Sequence, residues 1–481
     1  MVPDDSAMRL RTSLRDERSA ALEHGFELLR EAWQSFDAPR PAQPPISSET
    51  LSLTLTPLPA HGVGIPNALD LAARVLDESL AHARPRYFGY IGSSGLESAV
   101  LADALAGSHD TNLAAESNAA LLVEHQALRW MAEFVGFPVD GGTFTSGGMT
   151  SNLTALMAAR TRALPESRLD GLEGARPTVY ASSDAHSSIE RAVEVIGIGR
   201  RNLRAVPIDS HRRMDVDALR AVLAADVAAG RTPVAVVATA GTTLTGAVDP
   251  LRAIAEVCRE LGVWMHVDGA YGLPAASTPH ARELFDGLDR ADSASVDAHK
   301  WMFVPKACSM LMVRDRETLV RAFRHDASYM VEEEGHDHPV EGTLEYSRPF
   351  RSLKLWSALR AHGADAFRDA ITNNLVLARE LQQMAIDHPR FEPMLPAPDL
   401  SIVPLRRIPA RGDIDAHNMR LARALQADGR VYVTSAVIDG AACLRPCIVN
   451  FRTTYDDVAS IIAVADELGA LLEGDPGFVE L

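Results

Sequence analysis

Apolar side chains recur at helical spacing from about residue 5 to 36, with Leu22, Phe26, Leu29 and Trp33 on one stripe. The run Pro39-Arg40-Pro41-Ala42-Gln43-Pro44-Pro45 then ends the pattern. A second helical stretch is expected from about residue 66 to 83. Beyond it, short apolar runs alternate with amphipathic segments as far as about residue 370. The sharpest unit begins with the β-branched run 233–239. A turn follows, then an amphipathic stretch in which Asp249 suits an N-cap and Pro250 the first helical position. Leu251, Ile254, Ala255, Cys258 and Leu261 share one face, Gly262 closes the helix, and residues 263–268 read as the next strand. Strand, helix and strand in that order predict a right-handed βαβ unit, hence a mostly parallel sheet. Residues 371–481 read as helix, strands and helix, with apolar runs at 400–403 and 447–451. The expected fold is α/β, divided into an N-terminal helical segment at 1–80, a large domain at 81–370 and a small α+β domain at 371–481.

Length agrees with that division, because 481 residues exceed what one hydrophobic core usually supports. The 47% hydrophobic and 23% charged residues match an ordinary folded protein. The net charge of −17 gives the long-range field the wrong sign for nucleic acid or an anionic membrane, so small molecules are the expected ligands. Cys258, Cys308, Cys443 and Cys447 are too few and too scattered for a disulfide framework or a zinc site. No signal-type apolar segment opens the sequence and no run of eighteen apolar residues occurs, so a cytoplasmic location is expected.

Four stretches carry chemistry. In Ser293-Ala294-Ser295-Val296-Asp297-Ala298-His299-Lys300-Trp301 a lysine stands just past a small-residue apolar run. On its own this describes a surface lysine after a strand as well as it describes a poised amine. Asp268, in His266-Val267-Asp268-Gly269-Ala270-Tyr271-Gly272, falls at the carboxyl end of a buried strand, where open α/β sheets bind ligands. A carboxylate there either caps the next turn or meets a cationic ligand. The glycine turn Ser146-Gly147-Gly148-Met149 opens a helix whose free N–H groups would receive a phosphate, although a plain capped turn has the same pattern. His186 sits between a strand and a helix, where an imidazole is commonly structural and is also placed to lie on a planar ring.

In this order and spacing the four stretches resemble the fold type I pyridoxal-phosphate enzymes, specifically the group II decarboxylases acting on aromatic amino acids, glutamate and cysteine sulfinate. The likeness runs from about residue 66 to 454. It includes Pro85-Arg86-Tyr87-Phe88-Gly89-Tyr90, Thr239-Ala240-Gly241-Thr242-Thr243, Arg351-Ser352-Leu353-Lys354-Leu355-Trp356 and Val449-Asn450-Phe451-Arg452-Thr453-Thr454. The resemblance implies pyridoxal 5′-phosphate as cofactor, held by Lys300 as a Schiff base. Asp268 would bond the pyridine nitrogen, His186 would stack on the ring, and Ala270 would support the opposite face. Gly148, Met149 and His299 would reach the phosphate, with Thr242 beside the cofactor. An amine is needed to capture the aldehyde, and an anion at the pyridinium keeps the ring an electron sink. Arg452 is the implied partner of the substrate carboxylate. Tyr87 and Phe88, with Tyr90, lean toward an aromatic amino acid, although rings there also serve packing. A homodimer with shared active sites, formed by the N-terminal helices, is implied as well.

Two departures stand out. Relatives usually carry a hydroxyl residue where this chain has Met149. The mobile loop that in relatives supplies a proton-donating tyrosine corresponds to residues 331–345, which contain none. His338 within it and Tyr346 just after it are the candidates for that role, a near-neutral imidazole being a suitable acid. The missing tyrosine keeps an aldehyde-forming, oxygen-dependent outcome open beside plain decarboxylation. A catalytically dead scaffold of the same fold is the reading from another class.

Overall fold

The computed structural model describes residues 18–36, 44–92, 94–114, 117–325 and 339–474. Seven strands build the main sheet: β1 (Gly141–Thr145), β2 (Pro177–Ser182), β3 (Leu203–Val206), β4 (Thr232–Thr239), β5 (Trp264–Asp268), β6 (Ser293–Val296) and β7 (Ser309–Val313), in the order β1-β7-β6-β5-β4-β2-β3. All neighbours pair parallel except β7, which runs antiparallel to both β1 and β6. The expected βαβ unit is β4, helix Leu251–Leu261 and β5, paired from Ala235↔Trp264 to Thr239↔Asp268. Helices cover both faces, so the central strands are apolar throughout. Val236 and Ala238 face the core that holds Leu128, Met131 and Ile254, while Ala235 and Val237 face the one that holds Leu156, Ile189 and Leu319.

One local expectation needs correction. Gly262 closes the crossover helix in the left-handed region (φ 68°), as read, but Asp249 does not cap its start. Its carboxylate is fully buried and accepts the backbone N–H groups of Thr239 and Met214, each at 2.7 Å. The side chain turns inward to satisfy two interior N–H groups, that of Thr239 at the end of β4 and that of Met214 in the segment after β3. Burial pushes its pKa up to about 6 against the pull of those two donors.

The small sheet runs β10 (Thr434–Ile438), β11 (Ala441–Arg445), β9 (Leu405–Arg407), β8 (Phe391–Pro393), antiparallel throughout. Its core lies against helices Ile414–Asp428 and Tyr455–Gly474. Helix Ser352–Asp387 joins the two bodies: Leu355 to Leu375 pack in the large core, Leu377 to Ala385 in the small one. At the other end, helix Arg18–Phe36 meets helix Ile65–Asp77 through His24 and Asp70 (2.6 Å). The latter stops short of the expected residue 83, where Glu78 turns away to accept the Ser47 N–H. It buries none of its own residues. Among the described residues no helix is long and apolar enough to cross a membrane.

Candidate active site

Three parallel strands deliver the site from their carboxyl ends. β6 runs into Asp297 and the short helix Ala298–Trp301. Trp301 anchors that turn: it is fully buried, stacks on Tyr271 with centroids 5.1 Å apart, and donates to Asn374 Oδ1 at 2.9 Å. Lys300 then projects so that its Nζ lies 2.9 Å from Asp297 Oδ2. Burial pulls the Lys300 amine down, but the Asp297 and Asp268 carboxylates outweigh it and hold the ammonium above the ordinary lysine range. The reverse holds for Asp297, where burial pushes up and the charges of Lys300 and His299 pull the carboxyl below its usual value. Among the described residues Asp297 Oδ1 is buried with no hydrogen-bond partner. No role was read for Asp297 in the sequence. The available signal was its spacing, three residues before Lys300 in the same turn.

Asp268, ending β5, is held from two sides. Asn152 Nδ2 donates to Oδ2 at 2.9 Å, and the Ala270 N–H donates to Oδ1 at 3.2 Å. Asn152 is in turn fixed by a buried chain. Its Oδ1 accepts from His266 Nε2 at 3.0 Å and from Ser295 at 2.9 Å, while His266 Nδ1 meets Ser293 Oγ at 2.8 Å, which also accepts from Trp264 Nε1 at 2.9 Å. Burial drives the His266 pKa down to about 4 despite the nearby Asp268 charge, so the imidazole is neutral. Asn152 Oδ1 only accepts, so the His266 proton sits on Nε2. Asn152 also went unread in the sequence.

β1 leads to Gly147 and helix Gly148–Ala163. A Cβ on Gly148 would lie 3.0 Å from Ala270 Cβ and 3.1 Å from Asp297 Oδ2, so any side chain there would press on the turn that carries Lys300. Met149 brings no hydroxyl, but Ser146 and Thr150 flank it, their oxygens 3.0 Å apart. His299 lies nearby, Nδ1 at the Cys308 carbonyl (2.9 Å) and Nε2 3.7 Å from Asp297. His186 caps helix Ser187–Val195, its Nδ1 accepting the Ser188 N–H at 3.2 Å, with its ring left exposed. Pocket walls lower its pKa, as does Lys300, against the pull of Asp268 and Asp297, so it too is neutral. Thr242 is fully buried and secures its own loop, with Thr245 Oγ1 at 2.9 Å and the Ala247 N–H at 3.2 Å.

The expected substrate residues separate. Phe88 packs in the small-domain core at 1% exposure, which makes it a packing residue. Tyr87 is buried between His82 and Tyr432. Arg452 pairs with Glu97 at 2.6 Å and stacks over Phe451 at 4.2 Å, with Nη1 buried and, among the described residues, unpartnered. Tyr346 is 48% exposed. His338 lies outside the described residues.

The residues present fit pyridoxal phosphate. A single amine faces two carboxylates, one of them braced by Asn152. An exposed imidazole stands near, and a glycine turn opens at a helix N-terminus whose free N–H groups can receive a phosphate.

Residues 58–407 match the family described as "Pyridoxal-dependent decarboxylase conserved domain". The chain is 31% identical over 446 residues to the aromatic-L-amino-acid decarboxylase of Bacillus atrophaeus, covering 89% of this chain and 92% of that one. It is 33% identical over 429 residues to the L-2,4-diaminobutyrate decarboxylase of Rhizobium meliloti, covering 87% and 85%. The crystal structure of Oryza sativa TDC with PLP and tryptamine superposes with a TM-score of 0.89 at 26% identity, over 95% of this chain and 99% of the other. The geometry at Lys300 and these likenesses agree: the chain belongs to the pyridoxal-dependent decarboxylase family, as a pyridoxal-phosphate-dependent amino-acid decarboxylase.

Proposed function

We propose that the chain removes the α-carboxylate of an L-amino acid as CO₂ and returns the corresponding amine. The observation that carries this reading is the convergence of Lys300, Asp268 and the Gly148 cradle at the carboxyl ends of β6, β5 and β1. Pyridoxal phosphate, when bound, supplies the electron sink for the pair left on Cα as CO₂ departs. Lys300 would hold it covalently, and the free amine has Asp297 at 2.9 Å to stabilise a proton on Nζ. Asp268, aimed by Asn152, keeps a proton on the ring nitrogen. His186 would cover one ring face and Ala270 the other. The Gly148 and Met149 N–H groups, with His299, take the phosphate, and Thr242 keeps the neighbouring loop in place. Arg452 offers its unpartnered Nη1 to the substrate carboxylate. Return of the proton to Cα falls to His338 or Tyr346.

The aromatic preference keeps only part of its support, since Phe88 is core and Tyr87 is stacked, leaving Tyr90 exposed. Loop residues 331–345 lack a tyrosine, which keeps aldehyde formation as the second reading. Membership of the decarboxylase family leaves the dead-scaffold reading without support. We place the enzyme in the cytoplasm as a homodimer: its four cysteines are buried free thiols, and its N-terminal segment exposes Leu51, Leu55, Leu58 and Leu76. Product analysis separates the two chemistries. CO₂ and amine in equal amounts, without peroxide, is the expected result; aldehyde with peroxide would transfer the enzyme to the oxidative branch.

A further inference from the structure

The end of the main sheet away from Lys300 holds a second cleft, of about 990 Å³. Trp264 opens β5, Asp292 precedes β6 and Arg314 follows the antiparallel β7, and all three line it. Helix Gly148–Ala163 runs from one site to the other. Its first turn carries Gly148, and Arg160, about 18 Å further along the axis, lines the cleft. The volume lies at the upper end of the range for pockets that enclose a small molecule.

Six arginines line the cleft: Arg160, Arg162, Arg168, Arg314, Arg321 and Arg324. Arg162 pairs with Asp292 at 2.9 Å and Arg324 with Glu341 at 3.7 Å. The other four guanidiniums share the lining with two further carboxylates, those of Glu166 and Asp315. That leaves an excess of two positive charges, in a chain whose total is −17. The cleft therefore reverses the sign of the molecule's field locally. Backbone carbonyls hold three of these side chains in place. Arg160 Nη1 donates to the Ile196 carbonyl at 2.6 Å, and Arg314 Nε to that of Ala291 at 3.1 Å. Arg168 caps the end of helix Glu317–Phe323, donating to the Arg321 and Arg324 carbonyls at 2.7 and 2.6 Å. Capping explains where these side chains sit, but a neutral carbonyl leaves their charge uncancelled. Each guanidinium also has five N–H donors, more than these bonds use.

A separate observation comes from two buried atoms on adjacent lining residues. Among the described residues Thr161 Oγ1, on a side chain 7% exposed, and Arg160 Nε have no hydrogen-bond partner. Both can donate, and a buried donor without an acceptor is costly. We propose that this cleft is a second ligand site, for a phosphorylated small molecule. A phosphate monoester brings close to two negative charges near neutral pH and three acceptor oxygens, which suits the excess charge, the arginine forks and the Thr161 hydroxyl together. Met157, Pro165 and Leu169 offer apolar surface to the organic part. The negative field of the whole chain turns away nucleic acid and anionic membranes, which leaves a small molecule as the occupant.

The test uses the enzyme with pyridoxal phosphate bound, so that the cofactor's own phosphate site is filled, and follows the visible spectrum to show that it stays filled. Inorganic pyrophosphate and AMP are titrated by calorimetry, with adenosine and citrate as controls. At least one of the two phosphates should bind with a Kd below about 1 mM, and adenosine at least about tenfold more weakly than AMP if AMP is that ligand. Arg160→Met should weaken the phosphate roughly tenfold or more. Thr161→Val keeps the side-chain shape and removes only an unpartnered hydroxyl, so it should fold and weaken the phosphate about threefold, which decides the matter if Arg160→Met does not fold. Arg368→Met, at an arginine outside the cleft that pairs with Asp365, should change the affinity by less than about twofold. Failure of both phosphates to bind at up to about 10 mM would overturn the site. So would equal losses in the Arg160 and Arg368 variants, or loss of the cofactor's absorbance as phosphate is added, which would move the binding to Lys300. Citrate binding more tightly than either phosphate would overturn the choice of ligand.

Discussion

Asn152 decides where Asp268 points, and that makes it the most informative residue to remove. Asn152→Ala takes away one charge-directed hydrogen bond and leaves Asp268 held by the Ala270 N–H at 3.2 Å and the Ser295 hydroxyl at 3.4 Å. Affinity for pyridoxal phosphate, measured by titration, should fall about tenfold or more, in line with about 1.5–3 kcal/mol for such a bond. Unchanged affinity would remove the bracing role. His266, bonded to the same amide, brings a pH dependence. Its folded pKa of about 4 lies below the ordinary 6.5, so the unfolded chain binds a proton first as pH falls. Stability is complete above 6.5 and is lost between 6.5 and about 4, reaching about 2 kcal/mol at about pH 5. Comparing urea unfolding of wild type and His266→Gln at pH 7 and 5 isolates that loss, because other titrating groups cancel. An identical pH response in both proteins would contradict it. Lys300, Asp268 and His186 were legible because each stands where a strand gives way to a turn. Asn152 and Asp297 were not. Asn152 meets Asp268 across 116 residues, and only the fold shows that Asp297 faces Lys300's amine rather than water.

At the level of elements the pattern was readable wherever burial repeats with a period. The β4–helix–β5 unit was set by its apolar face and by Gly262, whereas the apolar runs at 400–403 and 447–451 fall outside the four strands of the small sheet and meet in the isolated bridge Ile402↔Cys447. Asp249 was misread because an aspartate before a proline-led helix satisfies the capping pattern equally well whether it turns toward the helix or the core. Its actual work is to satisfy two buried N–H groups. Asp249→Ala should therefore destabilise the protein by about 2–4 kcal/mol in denaturant titration, more than the loss of an exposed cap. A loss below about 1 kcal/mol would restore the capping role. The antiparallel β7 was also beyond reach: a buried strand reads as the same apolar run in either direction.

For the whole molecule, the N-terminal helices are the part a single chain leaves unfinished. Leu55, Leu58 and Leu76 are 84%, 94% and 70% exposed, and helix Ile65–Asp77 buries nothing within its own chain. A twofold partner would cover these leucines. Light scattering should return twice the 51.9 kDa chain mass at micromolar concentration, and paired Leu58→Lys and Leu76→Lys changes should give monomers. A wild-type monomer would contradict the dimer. The central claim concerns Lys300, and one measurement tests it most directly: the visible spectrum of the purified protein with pyridoxal phosphate, alongside CO₂ release from a panel of L-amino acids, for wild type and Lys300→Ala. The account predicts a protein-bound chromophore and CO₂ release in wild type, with both lost in a variant that remains folded. A variant that keeps the chromophore and the activity would contradict it.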